Sequence, residues 1–378
     1  MRLLWTNPAF LDYRVPAYTE LNKLSNNNFY ILFDKNRVPE RIPVKIKKAI
    51  GDHALIFDGK KIIINNRIFP ITPGLYKKIK RVNPDVIISE GFFQWTPKAL
   101  CYSLLHRKPL VIAYERTCWT ERNCSNWIKI YRKFVNLFVS GYLCNGTQTM
   151  EYLRSLGIKD KKLYLGGMSA DSTNMQMSVS RLSANDIAMI KKKLSLSNNG
   201  LIYTYIGRLI PLKGIHHLLE AWRKHIIQHK QDELLIVGGG ELYDSFITKY
   251  GNDNSIHFTG SIDYDDIYQY YAVSDVFIIP TLQDNWSLVV PEAMSVGLPV
   301  AVSIYNGCHP ELCKEGENGY KFDPLQEDSI ISVLDKFHHI DLKKYGENSI
   351  KIEEQYNYKH VAENMFNACE IIYSNLDK

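Results

Sequence analysis

Three stretches in the second half of the chain combine residue types able to hold a phosphorylated, hydroxyl-rich ligand. Residues 203–214, YTYIGRLIPLKG, read as a buried strand that ends in Gly207 and Arg208 and leads through Pro211 to Lys213 and Gly214. A glycine at a strand end lets the backbone approach a ligand, and two cations within six residues can converge on a diphosphate. A polar loop with two solvated cations is the plain alternative for so short a string. Residues 234–242, LLIVGGGEL, run from a strand into Gly238, Gly239 and Gly240. That turn could cradle a phosphate or nucleoside, or simply reverse the chain, because its spacing is not the full dinucleotide fingerprint.

The third stretch, residues 275–303, passes from a strand through Asp284, Asn285, Trp286 and Ser287 into an apolar helix that carries Leu288 and Glu292. Ser287 is predicted to cap that helix, and Pro291 fits only its first turn, so the helix is expected to start near Ser287 or Leu288. The free amides of such a start favour an anion by about 0.3–1 kcal/mol. Asp284 and Glu292 flank it, and a carboxylate that accepts two hydroxyl hydrogen bonds suits a ribose or a hexose. A capping Asp and a structural Glu form the alternative.

The elements that must position these residues are visible as recurring short β-branched and aromatic runs, near residues 3–5, 29–33, 85–89, 109–114, 201–206, 234–237, 256–258, 275–279 and 299–302. Helix-period segments separate many of them, which predicts α/β architecture with two doubly wound parallel sheets. At about 150 residues per domain, 378 residues suggest two or three units. The polar stretch 169–200 is the expected crossing, giving domains 1–175 and 176–354, with a final helix over 355–378 that could pack back on the first. Two such halves favour a ligand in a crevice at the carboxyl ends of the strands.

Hydrophobic residues make up 45%, charged 23% and aromatic 12% of the chain, which excludes a disordered, collagenous or coiled-coil protein. The net charge of +6 hides an asymmetry: residues 1–170 hold 28 Lys+Arg and 12 Asp+Glu, and the remainder holds 18 and 28. A basic half can meet nucleic acid, anionic lipid or an anionic substrate. No recognised nucleic-acid module accompanies it, so no nucleic-acid partner is expected. Seven cysteines at irregular spacings suggest reduced thiols in a cytoplasm rather than disulfides or a zinc set. The N-terminus is not expected to act as a signal peptide, and no run reaches the ~18 apolar residues of a spanning helix.

In this order and at these intervals, the motifs of residues 201–324 resemble the nucleotide-sugar domain of glycosyltransferase family 4, whose fold is GT-B. The resemblance implies that Arg208 and Lys213, in the GR-x4-KG string, grip a donor diphosphate. It also implies that Asp284 and Glu292, in a D-x7-E version of the family's E-x7-E, contact the donor sugar and the ribose. Gly260 and Ser261 are then candidate base or ribose contacts. The N-terminal half matches more loosely: the family's glycine pair after the first strand is replaced by residues 7–14, NPAFLDYR, and Glu115 follows the strand where a His often stands. The implied reaction is transfer of a hexose with retention, giving an α-glycoside, from a nucleotide sugar, UDP-linked ahead of GDP-linked. The acceptor would be a lipid, a lipid-linked glycan or a surface polysaccharide. No cofactor or metal is expected, and Glu90 and Glu115 are candidate bases. A degenerate nucleotide-binding protein of the same fold, without transferase activity, is the alternative.

Residues 127–138, WIKIYRKFVNLF, interleave cations with apolar side chains and are predicted to form a helix with one broad apolar stripe over Trp127, Ile128, Tyr131, Phe134, Val135 and Phe138. A core helix with a solvated cationic back is the favoured expectation. An interfacial helix on an anionic membrane is the alternative, which would place the protein peripherally on the inner face of the cell membrane.

Overall fold

The computed structural model describes residues 1–64, 67–197 and 199–375. The chain divides into two compact units, one formed by Met1–Ser169 with the chain from Tyr358 onward, the other by Ala170–Asn357.

In the first unit the strands are β1 (Leu3–Thr6), β2 (Phe29–Asp34), β3 (Ala54–Phe57), β4 (Lys60–Ile64), β5 (Arg67–Ile71), β6 (Val86–Glu90), β7 (Leu110–Tyr114), β8 (Gly141–Cys144) and β9 (Leu163–Leu165). Seven make one parallel sheet in the order β3-β2-β1-β6-β7-β8-β9, and β4 and β5 pair as a separate antiparallel hairpin. The central strands read as unbroken apolar runs because helices cover both faces. Leu3, Trp5, Ile31 and Ile88 pack on one side, and Leu4, Ile87, Leu110 and Ile112 on the other. The last helix, Tyr358–Ser374, completes the first of these cores with Val361, Met365 and Ile372 against the Val15–Leu24 helix. The helix expected over 355–378 thus begins at Tyr358, and positions 376–378 lie outside the described residues.

The second unit contains β10 (Ile202–Ile206), β11 (Glu233–Val237), β12 (Ile256–Gly260), β13 (Val276–Ile279), β14 (Val300–Ser303) and β15 (Gly319–Phe322), all parallel in the order β12-β11-β10-β13-β14-β15. This is the order of a dinucleotide-binding sheet, with its topological switch point between β10 and β13. The first unit has the equivalent break between β1 and β6. Together the two sheets make a GT-B fold, as the sequence predicted.

The chain passes from the first unit to the second between Ser169 and Ala170, at the start of the polar stretch 169–200 and six residues before the expected boundary at 175, and the rest of that stretch folds into the Ser172–Ser180 and Ala184–Lys193 helices of the second unit. Ser183 and Asp186 form a reciprocal capping box that starts the latter helix. Ser287 does not cap the following helix, which spans Val289–Ser295 and has Leu288 at its N-cap position. Its hydroxyl instead donates to Asp284 Oδ2 at 2.6 Å. That helix has seven residues, which leaves a short dipole.

The Asn126–Asn136 helix departs furthest from expectation. It buries Val135 and Arg132, while Trp127 (80% exposed), Ile130 (55%), Phe134 (57%) and, just past its end, Leu137 (71%) face solvent. The apolar residues cover two faces of the helix, and only one is buried. Arg132 turns inward because Glu121 lies buried behind it, 2.7 Å away, with Arg116 3.1 Å from the same carboxylate. Burial works against the Glu121 charge, yet the Arg132 hydrogen bond holds its carboxyl below the ordinary value.

Candidate functional site: the carboxyl ends of the two sheets

In the second unit the three candidate stretches meet at the carboxyl ends of β10, β11 and β13. The Gly207 amide donates to Val237 O at 3.0 Å, the Leu209 amide to Gly239 O at 2.8 Å, and the Gly238 amide to Gly260 O at 3.0 Å. These bonds stitch the Gly207–Arg208 turn, the glycine turn and the end of β12 into one surface. Gly238 has φ +134°, and a Cβ there would sit 2.0 Å from Gly207 O, so this approach of two turns excludes every side chain. At Gly239 a Cβ would meet Ser261 Oγ at 2.2 Å. Gly207, Gly238, Gly239, Gly260 and Ser261 are therefore neighbours in space.

The cations occupy the switch point itself. Lys213 ends a short turn after β10, and that turn is fastened to the segment after β13 by the Leu282 amide donating to Leu212 O at 2.9 Å. Lys213 Nζ forms an ion pair with Asp284 Oδ2. Asp284 Oδ2 also accepts from Ser287 Oγ, and its Oδ1 accepts from the Trp286 amide at 3.3 Å. Asp284 thus holds both Lys213 and its own loop. The exposed Arg208 side chain has no hydrogen-bond or ion-pair partner among the described residues, and its carbonyl accepts from Tyr205 OH at 3.0 Å.

Glu292 is 2% exposed. Its Oε1 accepts from Tyr264 OH at 2.8 Å and its Oε2 from Tyr271 OH at 3.0 Å. Burial pushes its carboxyl up from the ordinary 4.5 to about 7, and the two hydroxyls restrain the rise. Trp286 is turned into the unit, 4% exposed, with its ring 6.1 Å from that of Tyr356. Asn285 and Leu288 stay partly accessible on the same loop. Tyr264, Tyr271 and Asn306 were missed by the sequence reading. Asn306, fully buried, accepts from the Ser287 amide at 3.4 Å and so supports the loop from behind. Lone tyrosines and asparagines carry no spacing signal.

In the first unit, Glu90 ends β6 beside that sheet's switch point. Its Oε1 accepts from Arg14 at 2.6 Å, from Asn7 Nδ2 at 3.0 Å and from Trp5 Nε1 at 3.1 Å. The NPAFLDYR segment thus supplies two clamps on one carboxylate oxygen. Two cavities adjoin there, of about 630 and 360 Å³, and Glu90, Gln94 and Glu115 line both. Phe92, Phe93 and Tyr114 give the larger one an aromatic wall.

The class this fold defines is a two-unit GT-B protein, with Arg208, Lys213, Asp284 and Glu292 at the carboxyl end of its second sheet. Residues 186–352 match the family of glycosyl transferases group 1. Among curated proteins, the chain is 27% identical over 187 residues to the uncharacterized glycosyltransferase MJ1607 of Methanocaldococcus jannaschii, covering 48% of this chain and 47% of that one. It is 33% identical over 151 residues to the UDP-Gal:alpha-D-GlcNAc-diphosphoundecaprenol alpha-1,3-galactosyltransferase of Escherichia coli, covering 38% of each. The chain spans about half or less of the length of these curated relatives. Among solved structures it is similar to Anabaena Alr3699/HepE in complex with UDP, with TM-score 0.78, 16% identity and coverage of 98% of this chain and 100% of that one.

Proposed function

We propose that this chain is a retaining glycosyltransferase of family 4 that moves a hexose from a UDP-sugar to a hydroxyl of a lipid-linked or surface-polysaccharide acceptor, forming an α-glycoside. The observation that carries the reading is the pairing of Lys213 with Asp284 across the second unit's switch point, beside the unpartnered Arg208. The UDP preference is supported by the UDP-Gal donor for which the Escherichia coli relative is named and by the UDP in the Anabaena complex.

In this mechanism Arg208 and Lys213 face the diphosphate. As the anomeric carbon–phosphate oxygen bond breaks, negative charge grows on the leaving oxygens, and the two cations stabilise it more in the transition state than in the bound substrate. The acceptor oxygen bonds to the anomeric carbon, and its proton passes to the departing phosphate. Asp284 positions Lys213 and contacts the sugar. Glu292 accepts the ribose hydroxyls, and the backbone around Gly238 and Gly260 receives the base. Glu90, held through Oε1, offers Oε2 to the acceptor hydroxyl; Glu115 shares the same cavities. The transfer step itself needs no metal.

The acceptor side is proposed to work at an anionic, cytoplasmic membrane face. The exposed stripe Trp127, Ile130, Phe134 and Leu137 lies beside Lys129 and Lys133. Basic residues near an anionic leaflet contribute about 1 kcal/mol each, and the apolar stripe adds burial. Among the described residues no helix is long and apolar enough to cross a membrane. The experiment that tests the catalytic reading is nucleotide release from Arg208→Ala and Lys213→Ala. Each is expected to lose about 10²–10³ in rate while staying folded, and near-normal turnover in both would remove the diphosphate grip from the account.

A further inference from the structure

The second unit carries a group of side chains that this reading does not use. His225 lies on the Ile215–Gln228 helix, Asp232 just before β11, and His338 in the turn Phe337–His339 that follows the Glu327–Lys336 helix. Asp232 Oδ2 is 2.8 Å from His225 Nε2 and 2.8 Å from His338 Nε2. The three ligand atoms lie within 4.8 Å of one another, and among the described residues this is the one such group of three. The side chains are 0%, 2% and 22% exposed for His225, Asp232 and His338, so the group is walled on two sides and open on the third.

The surroundings fix the ligands. Asp232 Oδ1 accepts from the Leu201 amide at 3.0 Å, which aims Oδ2 at the two rings. His229 stacks on His338, with centroids 3.9 Å apart and planes at 12°, and its own Nε2 is 3.0 Å from Asp335 Oδ1. The Leu201 bond is an outer-shell contact of the kind that orients a ligating carboxylate, whereas the buried His225 Nδ1 has no hydrogen-bond partner among the described residues. We propose that His225 Nε2, His338 Nε2 and Asp232 Oδ2 form a binding site for a first-row divalent transition metal, with zinc the leading candidate. Two imidazoles and a carboxylate suit such ions, and water can complete a four-coordinate site from the open side. Ligand atoms around tetrahedral zinc stand about 3.3 Å apart, so each nitrogen needs to open from Oδ2 by about half an ångström while the two nitrogens, now within 4.8 Å of each other, settle to that same spacing. His338, 22% exposed on the open side, is the ligand with room for that change.

The site is structural. Leu201 precedes β10 and Asp232 precedes β11, whereas Gly207 and Gly238 follow those strands, so five-residue strands of about 3.3 Å per residue separate the metal from the donor face. It fastens two helices to the amino-terminal edge of the sheet. The sequence showed no zinc spacing because His338 is 106 residues from Asp232.

The test uses the full chain, free of any affinity tag, stripped with a chelator and desalted. Titration with Zn²⁺ is expected to give one saturable equivalent and a higher melting temperature, and Co²⁺ the visible absorption of a four- or five-coordinate site. His338→Ala is expected to weaken binding at least about 10- to 100-fold, the range lost when even an outer-shell partner is removed. His339→Ala, at an exposed neighbour, is expected to bind as the wild type does. If alanine unfolds the unit, His338→Gln, which keeps a hydrogen bond to Asp232 but ligates poorly, asks the same question. Absence of a saturable equivalent, or equal binding in the wild type and the His338 variant, would leave a plain His–Asp–His hydrogen-bonded array and overturn the site.

Discussion

Replacing Glu292 by Gln separates the cost of burying this acid from its use. Between about 4.5 and 7 the native carboxyl keeps a proton that the unfolded chain has released, so stability is fullest below 4.5 and falls as pH rises through about 7. A rise from 4.5 to about 7 corresponds to about 3 kcal/mol. Gln has the same shape and no charge, and can still meet the hydroxyls of Tyr264 and Tyr271. Glu292→Gln is therefore expected to match the wild type near pH 4.5 and to exceed it by about 3 kcal/mol at pH 8. Urea denaturation at pH 4.5, 6 and 8 reads this difference. Glu353, also lifted to about 7 by burial, keeps its own slope in both proteins and cancels. The same variant is expected to bind UDP more weakly, the pattern of a group kept at a cost to stability. A difference that is flat with pH, or a variant less stable at pH 8, would refute the burial argument.

If ribose hydroxyls bind the ionised form of Glu292, UDP affinity should rise with pH by at most about tenfold per unit up to about 7 and then level; calorimetry from pH 5.5 to 8.5 checks this. Arg132→Met leaves the buried Glu121 without its closer cation and is expected to cost about 3–5 kcal/mol, largely recovered in Arg132→Met with Glu121→Leu, by chemical denaturation. Trp127→Glu with Phe134→Glu should abolish flotation with anionic liposomes at unchanged melting temperature; undiminished flotation would move the membrane contact elsewhere. A chelator should leave the single-turnover transfer rate unchanged at 25 °C, and its loss would contradict a metal-free transfer step.

The unbroken apolar strands were legible because burial on both faces leaves no alternation to confuse, as at β1, β10 and β13. The strands β8, β9 and β15 were not, since Gly141, Tyr164 and Lys321 interrupt short runs whose pairing comes from neighbours in the sheet. On the site, Gly207, Arg208 and Lys213 could be read from spacing. The Lys213–Asp284 pair could not, because 71 residues and the crossing between β10 and β13 separate them. The Asn126–Asn136 helix shows the limit most clearly. Its apolar residues outnumber those that one buried face can take, and the sequence cannot say which face is covered. That choice is made by Glu121, whose buried charge draws Arg132 inward and leaves Trp127 and Phe134 outside.

The central claim, transfer from a nucleotide sugar, is tested most directly by measuring nucleotide release from a panel of UDP- and GDP-sugars, each with and without a lipid extract carrying undecaprenyl-linked glycans. The account predicts UDP release from one UDP-sugar, strongly dependent on the extract. UDP binding without release from any donor would contradict it and define a nucleotide-binding protein that has lost transfer.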